Sequence, residues 1–179
     1  MPRYAAFFAS MNVGGNRLKM ADLREALERE ELEDVETVVA SGNVLFSYEE
    51  RPTDGLSEML AFIVKDRFGF ETFAAVRDVE EVRSAYADNP FAGDGEDRLV
   101  HTHLAAGEID RDAVERLIAD HAGRGPERIA AGPRCLYVDY VDGAGTSKLS
   151  GAFIERRLGC PTTARNVRSL QRIHEKMIA

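Results

Sequence analysis

Residues 61–69 read AFIVKDRFG, and residues 152–159 read AFIERRLG, one residue shorter. Each stretch ends a run of apolar residues at helical spacing and closes on a glycine, the residue that most easily takes the left-handed turn after a helix. Around the first, Leu56, Met59, Leu60, Ile63 and Val64 fall on one helical face. Three further echoes keep the same order along the chain. ASGNVLF at 40–46 is answered by AAGPRCLY at 130–137, and RDV at 77–79 by RNV at 165–167. The pattern Asp22-x-x-Glu25-x-Leu27 is answered by Asp112-x-x-Glu115-x-Leu117. Single echoes arise by chance; four in register point to a duplication.

The elements around these echoes repeat too. The first half reads as a strand at 3–10 and a helix carrying Met20, Leu23 and Leu27. A strand pair follows near 37–40 and 43–48, with Ser41-Gly42 as its turn. The helix ending at Gly69 precedes a strand at 72–76, then a helix opened by the capping-box pair Asp78 and Glu81. Asn89-Pro90 stops it. The second half reads as a strand in DRLVHTHLAA, a helix at 110–121, and strands at 128–131 and 135–141. A helix at 146–158 with Thr146 as cap, a strand at 162–165 and a helix at 166–178 complete it. The expected class is therefore α+β: a tandem duplication of two ferredoxin-like βαββαβ units, each with a trailing helix. The expected subdomains are residues 1–90 and 98–179, packed as one body, since the intervening NPFAGDGED is a loop rather than a tether.

Composition narrows the function classes. The 179 residues are 44% hydrophobic and 30% charged, with a net charge of −8. That charge makes nucleic acid an unlikely partner and argues against anionic lipid. No apolar run suits a membrane, the start lacks a signal-peptide layout, and two cysteines make no disulfide framework, so the expected location is cytoplasmic. Charge is uneven: EREELEDVE at 28–36 is acidic and reads as a solvated helix face. The last 30 residues carry Arg156, Arg157, Arg165, Arg168, Arg172 and Lys176. Oligomeric state is not readable from any of this.

The segments NVGG, KMADLR, SGNVLF, SKLS, AFIERRLG and TTARN, in this order and spacing, resemble the domain of unknown function family 1697 from about Arg3 to Met177. The resemblance implies a tandem α+β fold and no particular activity. The chain departs from that family's pattern at Ala9-Ser10, where Arg-Gly is usual, at Gly151 in place of asparagine, and at Val167 in place of tryptophan.

No motif implies a cofactor or an enzyme reaction. Gly14-Gly15 fits neither a Walker loop nor a dinucleotide fingerprint, and positive-φ tolerance at Asn12 and the glycines explains the turn. Its free N–H groups, with Arg17 and Lys19, also suit an anion nest. Asn166 is a good helix cap flanked by Arg165 and Arg168, and a helix start with two guanidiniums suits an anion as well. Ser147 and Lys148 add a hydroxyl and an ammonium, though adjacent helix residues point about 100° apart, too far to act as nucleophile and base. The candidate site is thus a pocket for a small anionic or phosphorylated ligand, drawn from Asn12, Gly14, Gly15, Arg17, Lys19, Ser41, Asn43, Ser147, Lys148, Arg165, Asn166 and Arg168. Two alternatives stay open: a nucleic-acid module using Phe46 and Tyr48, and an interaction protein with no ligand. His101 and His103 share a strand face but lack a third metal ligand, so no metal is expected.

Overall fold

The computed structural model describes residues 1–9, 18–39 and 42–179. The first half runs β1 (Arg3–Ala9), α1 (Met20–Arg29), β2 (Glu33–Thr37), β3 (Asn43–Ser47), α2 (Thr53–Phe68), β4 (Phe73–Asp78) and α3 (Val79–Ala87). The second runs β5 (Val100–Leu104), α4 (Arg111–His121), β6 (Arg128–Gly132), β7 (Cys135–Asp139), α5 (Gly151–Leu158), β8 (Thr163–Asn166) and α6 (Val167–Ile178). Two four-stranded antiparallel sheets result, ordered β2-β3-β1-β4 and β6-β7-β5-β8. The orders are the same position for position, so this is the tandem α+β fold of two βαββαβ units.

Strand alternation places the cores. In the first sheet Tyr4, Ala6, Phe8, Val44, Phe46, Ala74 and Val76 share a face with Leu23 and Leu27 of α1 and Leu56, Leu60, Ile63 and Val64 of α2. Each fully buried leucine here is worth about 1.5–3 kcal/mol. In the second sheet Leu136 and Val138 pack with Val114 and Leu117 of α4 and Ile154 and Leu158 of α5. The opposite strand faces are closed as well: Ala5, Phe7, Leu45 and Ala75 in one, Val100, Thr102 and Leu104 in the other, are all essentially inaccessible. Thr102 donates to the Ala85 carbonyl at 2.6 Å, and Asn89 Nδ2 donates to Thr102 Oγ1 at 3.2 Å. The NPF turn is thereby held against β5.

The chain divides into two compact units, Met1–Val82 with Arg172–Ala179, and Arg83–Gln171. Each trailing helix therefore begins in one unit and ends in the other.

Two elements differ from the sequence reading. β2 lies at Glu33–Thr37 rather than 37–40. Only Val35 points inward on this charged edge strand, so its apolar signal is weak, while Val38 and Val39 lie beyond it. The acidic run is thus the end of α1 plus this solvated edge, not a helix face alone. The helix expected from Thr146 begins at Gly151, with Ser150 as its cap, Oγ accepting from Phe153 N. Ser147 Oγ instead accepts from Leu149 N at 3.0 Å, and Leu149 is fixed by its burial and by Tyr140 donating to its carbonyl. A turn closed by its own serine competes successfully with helix here.

Candidate functional site

Six helices among the described residues start in two different ways. The first turns of α1, α2, α3 and α4 each hold a carboxylate: Asp22, Asp54, Glu80 with Glu81, and Asp112. Those of α5 and α6 hold none. Strand register, with the Tyr140 hydroxyl held on the Leu149 carbonyl just before α5, puts both starts at one end of the second sheet, with β5 between β7 and β8. His101 of β5 is opposite Val138 of β7 and Asn166 of β8. β7 and β8 thus run the same way and end at the same end of the second sheet, where α5 and α6 begin. Lys148 lies just before α5, and Arg165 and Arg168 border the start of α6. Cations stand there against two unneutralised helix dipoles.

The duplication shows what this replaces. RDVEEV at 77–82 corresponds to RNVRSL at 165–170. In the first copy Asp78 and Glu81 form a reciprocal box: Glu81 N donates to Asp78 Oδ1 at 2.8 Å and Asp78 N to Glu81 Oε1 at 3.2 Å. In the second, Asn166 Oδ1 accepts from Ser169 N at 2.8 Å, so the cap is kept while its charge is gone. Arg168 stands where Glu80 stood. It is exposed and makes no hydrogen bond or ion pair among the described residues. Neither Glu155, whose Oε1 accepts from Thr162 N, nor Asp142 pairs with it.

Arg165 is a different kind of cation. Half-buried, it donates from Nη1 to Thr163 Oγ1 at 2.7 Å and to the Ala164 carbonyl at 2.8 Å. Burial pulls its pKa down to about 10 because the charged guanidinium is poorly solvated. It remains a cation at neutral pH. Lys148 is exposed and, among the described residues, without hydrogen bond or ion pair. Lys19 precedes α1 with its side chain exposed, and Asn43 is buried within β3, its carbonyl accepting from Val38 N. Asn12, Gly14, Gly15, Arg17 and Ser41 lie outside the described residues. Lys19 and Asn43 are in the first unit, Ser147, Lys148, Arg165, Asn166 and Arg168 in the second.

The aromatic and histidine candidates sit in cores. Phe46 is fully buried against Tyr4, ring centroids 5.5 Å apart, and Tyr48 packs on the same core under the Arg51 guanidinium. Phe46 therefore offers no stacking platform. His103 Nε2 lies 3.0 Å from the Tyr140 hydroxyl, and the His101 ring meets Tyr140 edge-on at 4.9 Å. Burial, and secondarily His101, drives the His103 pKa from 6.5 down to about 3, so it is neutral. Burial, then the nearby Glu127 charge, holds Tyr140 protonated far above its usual range. No group of three or more metal-ligating side chains occurs among the described residues.

Sequence reading missed one buried pair. His121 ends α4, and its Nε2 lies 3.0 Å from Glu127 Oε1, both side chains 4% exposed. That is an ion-pair distance without hydrogen-bond alignment, since neither ring nitrogen makes a hydrogen bond. Gly125 allows the tuck, because a Cβ there would sit 2.4 Å from Glu127 Oε1. The glycine in GRGPE was the available signal.

Solved structures similar to this chain include that of the conserved bacterial protein SP0830 from Streptococcus pneumoniae. It is 20% identical, with a TM-score of 0.70 over 100% of this chain and 99% of that one. At that identity the likeness carries the fold alone. No curated protein matches. No helix among the described residues is long and apolar enough to cross a membrane. Residues 1–137 match the family described as protein of unknown function (DUF1697), and the chain belongs to it.

Proposed function

We propose that this protein binds a small anionic or phosphorylated ligand at the end of the second sheet where α5 and α6 begin. One observation carries the reading: among the described residues, the two helix starts at this end lack the first-turn carboxylate found in the other four, and Lys148 and Arg168 stand there without acid partners. A cation beside a helix N-terminus is unfavourable by about 0.3–1 kcal/mol, and a bound anion reverses that sign. The Ser147 hydroxyl and the half-buried Arg165 supply further donors. Asn12, Gly14, Gly15, Arg17, Lys19, Ser41 and Asn43 stay in the reading as a separate candidate set for such an anion. We also take residues 1–90 and 98–179 as the duplicated halves, and the cytoplasm as the working compartment, in keeping with two cysteines that form no disulfide.

A thermal-shift screen of phosphate, nucleotides and phosphorylated metabolites tests this, repeated on Lys148→Ala/Arg168→Ala. A ligand at a hundredfold its Kd adds about 2.7 kcal/mol of stability, or roughly 5–10 °C in Tm for a chain of this size. The expected result is such a shift in the native protein and its loss in the double variant, whose exposed side chains leave the fold unchanged. A shift that persists in the variant removes the site. If no anion shifts Tm, an RNA titration across salt decides between the nucleic-acid reading and the interaction module.

A further inference from the structure

The charges of three clefts within the described residues behave differently. The groove between α1 and α2, with Asp22, Glu25, Arg29 and Arg67, is neutralised internally: Arg29 pairs with Glu25 at 2.5 Å and Arg67 with Glu30 at 3.0 Å. The cleft lined by Asp94, Gly95, Glu96, Leu99, Arg128 and Asp139 is acidic, and its one cation is spent, because Arg128 is held by Asp139 at 2.6 Å and by Asp94 at 2.5 Å. The third, of about 360 Å³, lies in the first unit and is lined by Val39, Arg172, Glu175, Lys176 and Ala179. Its cations are unspent: Arg172 and Lys176 make no ion pair or hydrogen bond among the described residues, not even with Glu175.

Arg172 and Lys176 are one turn apart on α6, so their heads project side by side. Their hydrocarbon stems, with Val39 and Ala179, give the cleft apolar walls beneath a cationic rim. Val39 is 38% exposed and holds φ at +66°, a conformation that costs a β-branched residue free energy. The volume suits a small organic molecule. We propose that this cleft binds an amphiphilic organic anion, its phosphate or carboxylate head between Arg172 and Lys176 and a short hydrocarbon tail against Val39. Arg172 and Lys176 pair neither with Glu175 nor with the Ala179 end of the chain among the described residues, and these two unpaired heads one turn apart are what select an anion. The site is separate from the one at the starts of α5 and α6 and stands without it.

The test is thermal shift and isothermal titration of the full chain with octyl phosphate and octanoate below their aggregation limits, with inorganic phosphate and octylammonium as comparators. The expected result is stabilisation by the alkyl anions and none by octylammonium. Arg172→Ala/Lys176→Ala should weaken octyl phosphate about tenfold or more, as loss of charge-assisted contacts does. Val39→Asn suits the left-handed backbone, so it keeps the fold while removing the apolar wall, and it should weaken octyl phosphate but not inorganic phosphate. Lys148→Ala/Arg168→Ala should leave octyl phosphate unaffected, which distinguishes failure here from failure at the other site. Octylammonium binding as well as octyl phosphate, or unchanged affinity in the Arg172/Lys176 variant, overturns the proposal.

Discussion

His103 couples this protein's stability to pH through its buried imidazole. Folding takes its pKa from 6.5 to about 3, so the unfolded chain holds a proton that the folded chain refuses between those values. The stability from the neutral ring is fully present above about pH 6.5 and is lost as pH falls toward 3. One proton corresponds to about 1.4 kcal/mol per pH unit. His101, also lowered by burial, adds to the same slope. His103→Gln keeps an amide donor for Tyr140 and cannot titrate. Urea unfolding at pH 7, 6 and 5 should therefore show a shallower loss in the variant, and an equal slope in both proteins would remove His103 as the cause.

At the scale of elements, the two trailing helices open alike in geometry and opposite in charge. In α3 the Glu81 carboxylate also accepts from Thr53 Oγ1, at 3.0 and 3.1 Å, so the box ties this helix to the start of α2. Asp78→Ala should cost about 0.5–2 kcal/mol, the usual range for a lost cap. Glu81→Ala should cost more, because it removes the box and also the Thr53 contacts that tie α3 to α2. Chemical denaturation of the two variants measures both costs, and a Glu81→Ala cost below that of Asp78→Ala would show that the tie to α2 adds nothing.

For the molecule as a whole, the sequence halves and the compact units are not the same division. Arg172–Ala179 belongs with Met1–Val82, and within that segment Ile173 and Met177 are buried. Removing residues 172–179 should therefore loosen the first unit although the cut lies in the second repeat. Hydrogen exchange on the truncated chain should show protection lost across β1, β3 and β4 more than across β5 and β7. Greater loss in the second sheet would contradict this division.

The duplicated order of strands and helices, the glycine stops at Gly69 and Gly159, the Asp78–Glu81 box and the Asn166 cap were all legible in the sequence. Each is local: periodicity, a left-handed turn or a side chain reaching three residues along suffices, and no distant residue need be known. β2 was misplaced because an edge strand with Val35 alone facing inward leaves almost no alternation to read. The early start given to α5 failed because buried Leu149 and the Tyr140 hydroxyl fix a turn that composition does not record. Only tertiary structure decided that Arg165 is half-buried while Arg168 is free, that His103 meets Tyr140, and that Glu127 folds onto His121. These depend on which strands pair and which side chains close over one another, and contacts across dozens of residues leave no periodic trace in the chain.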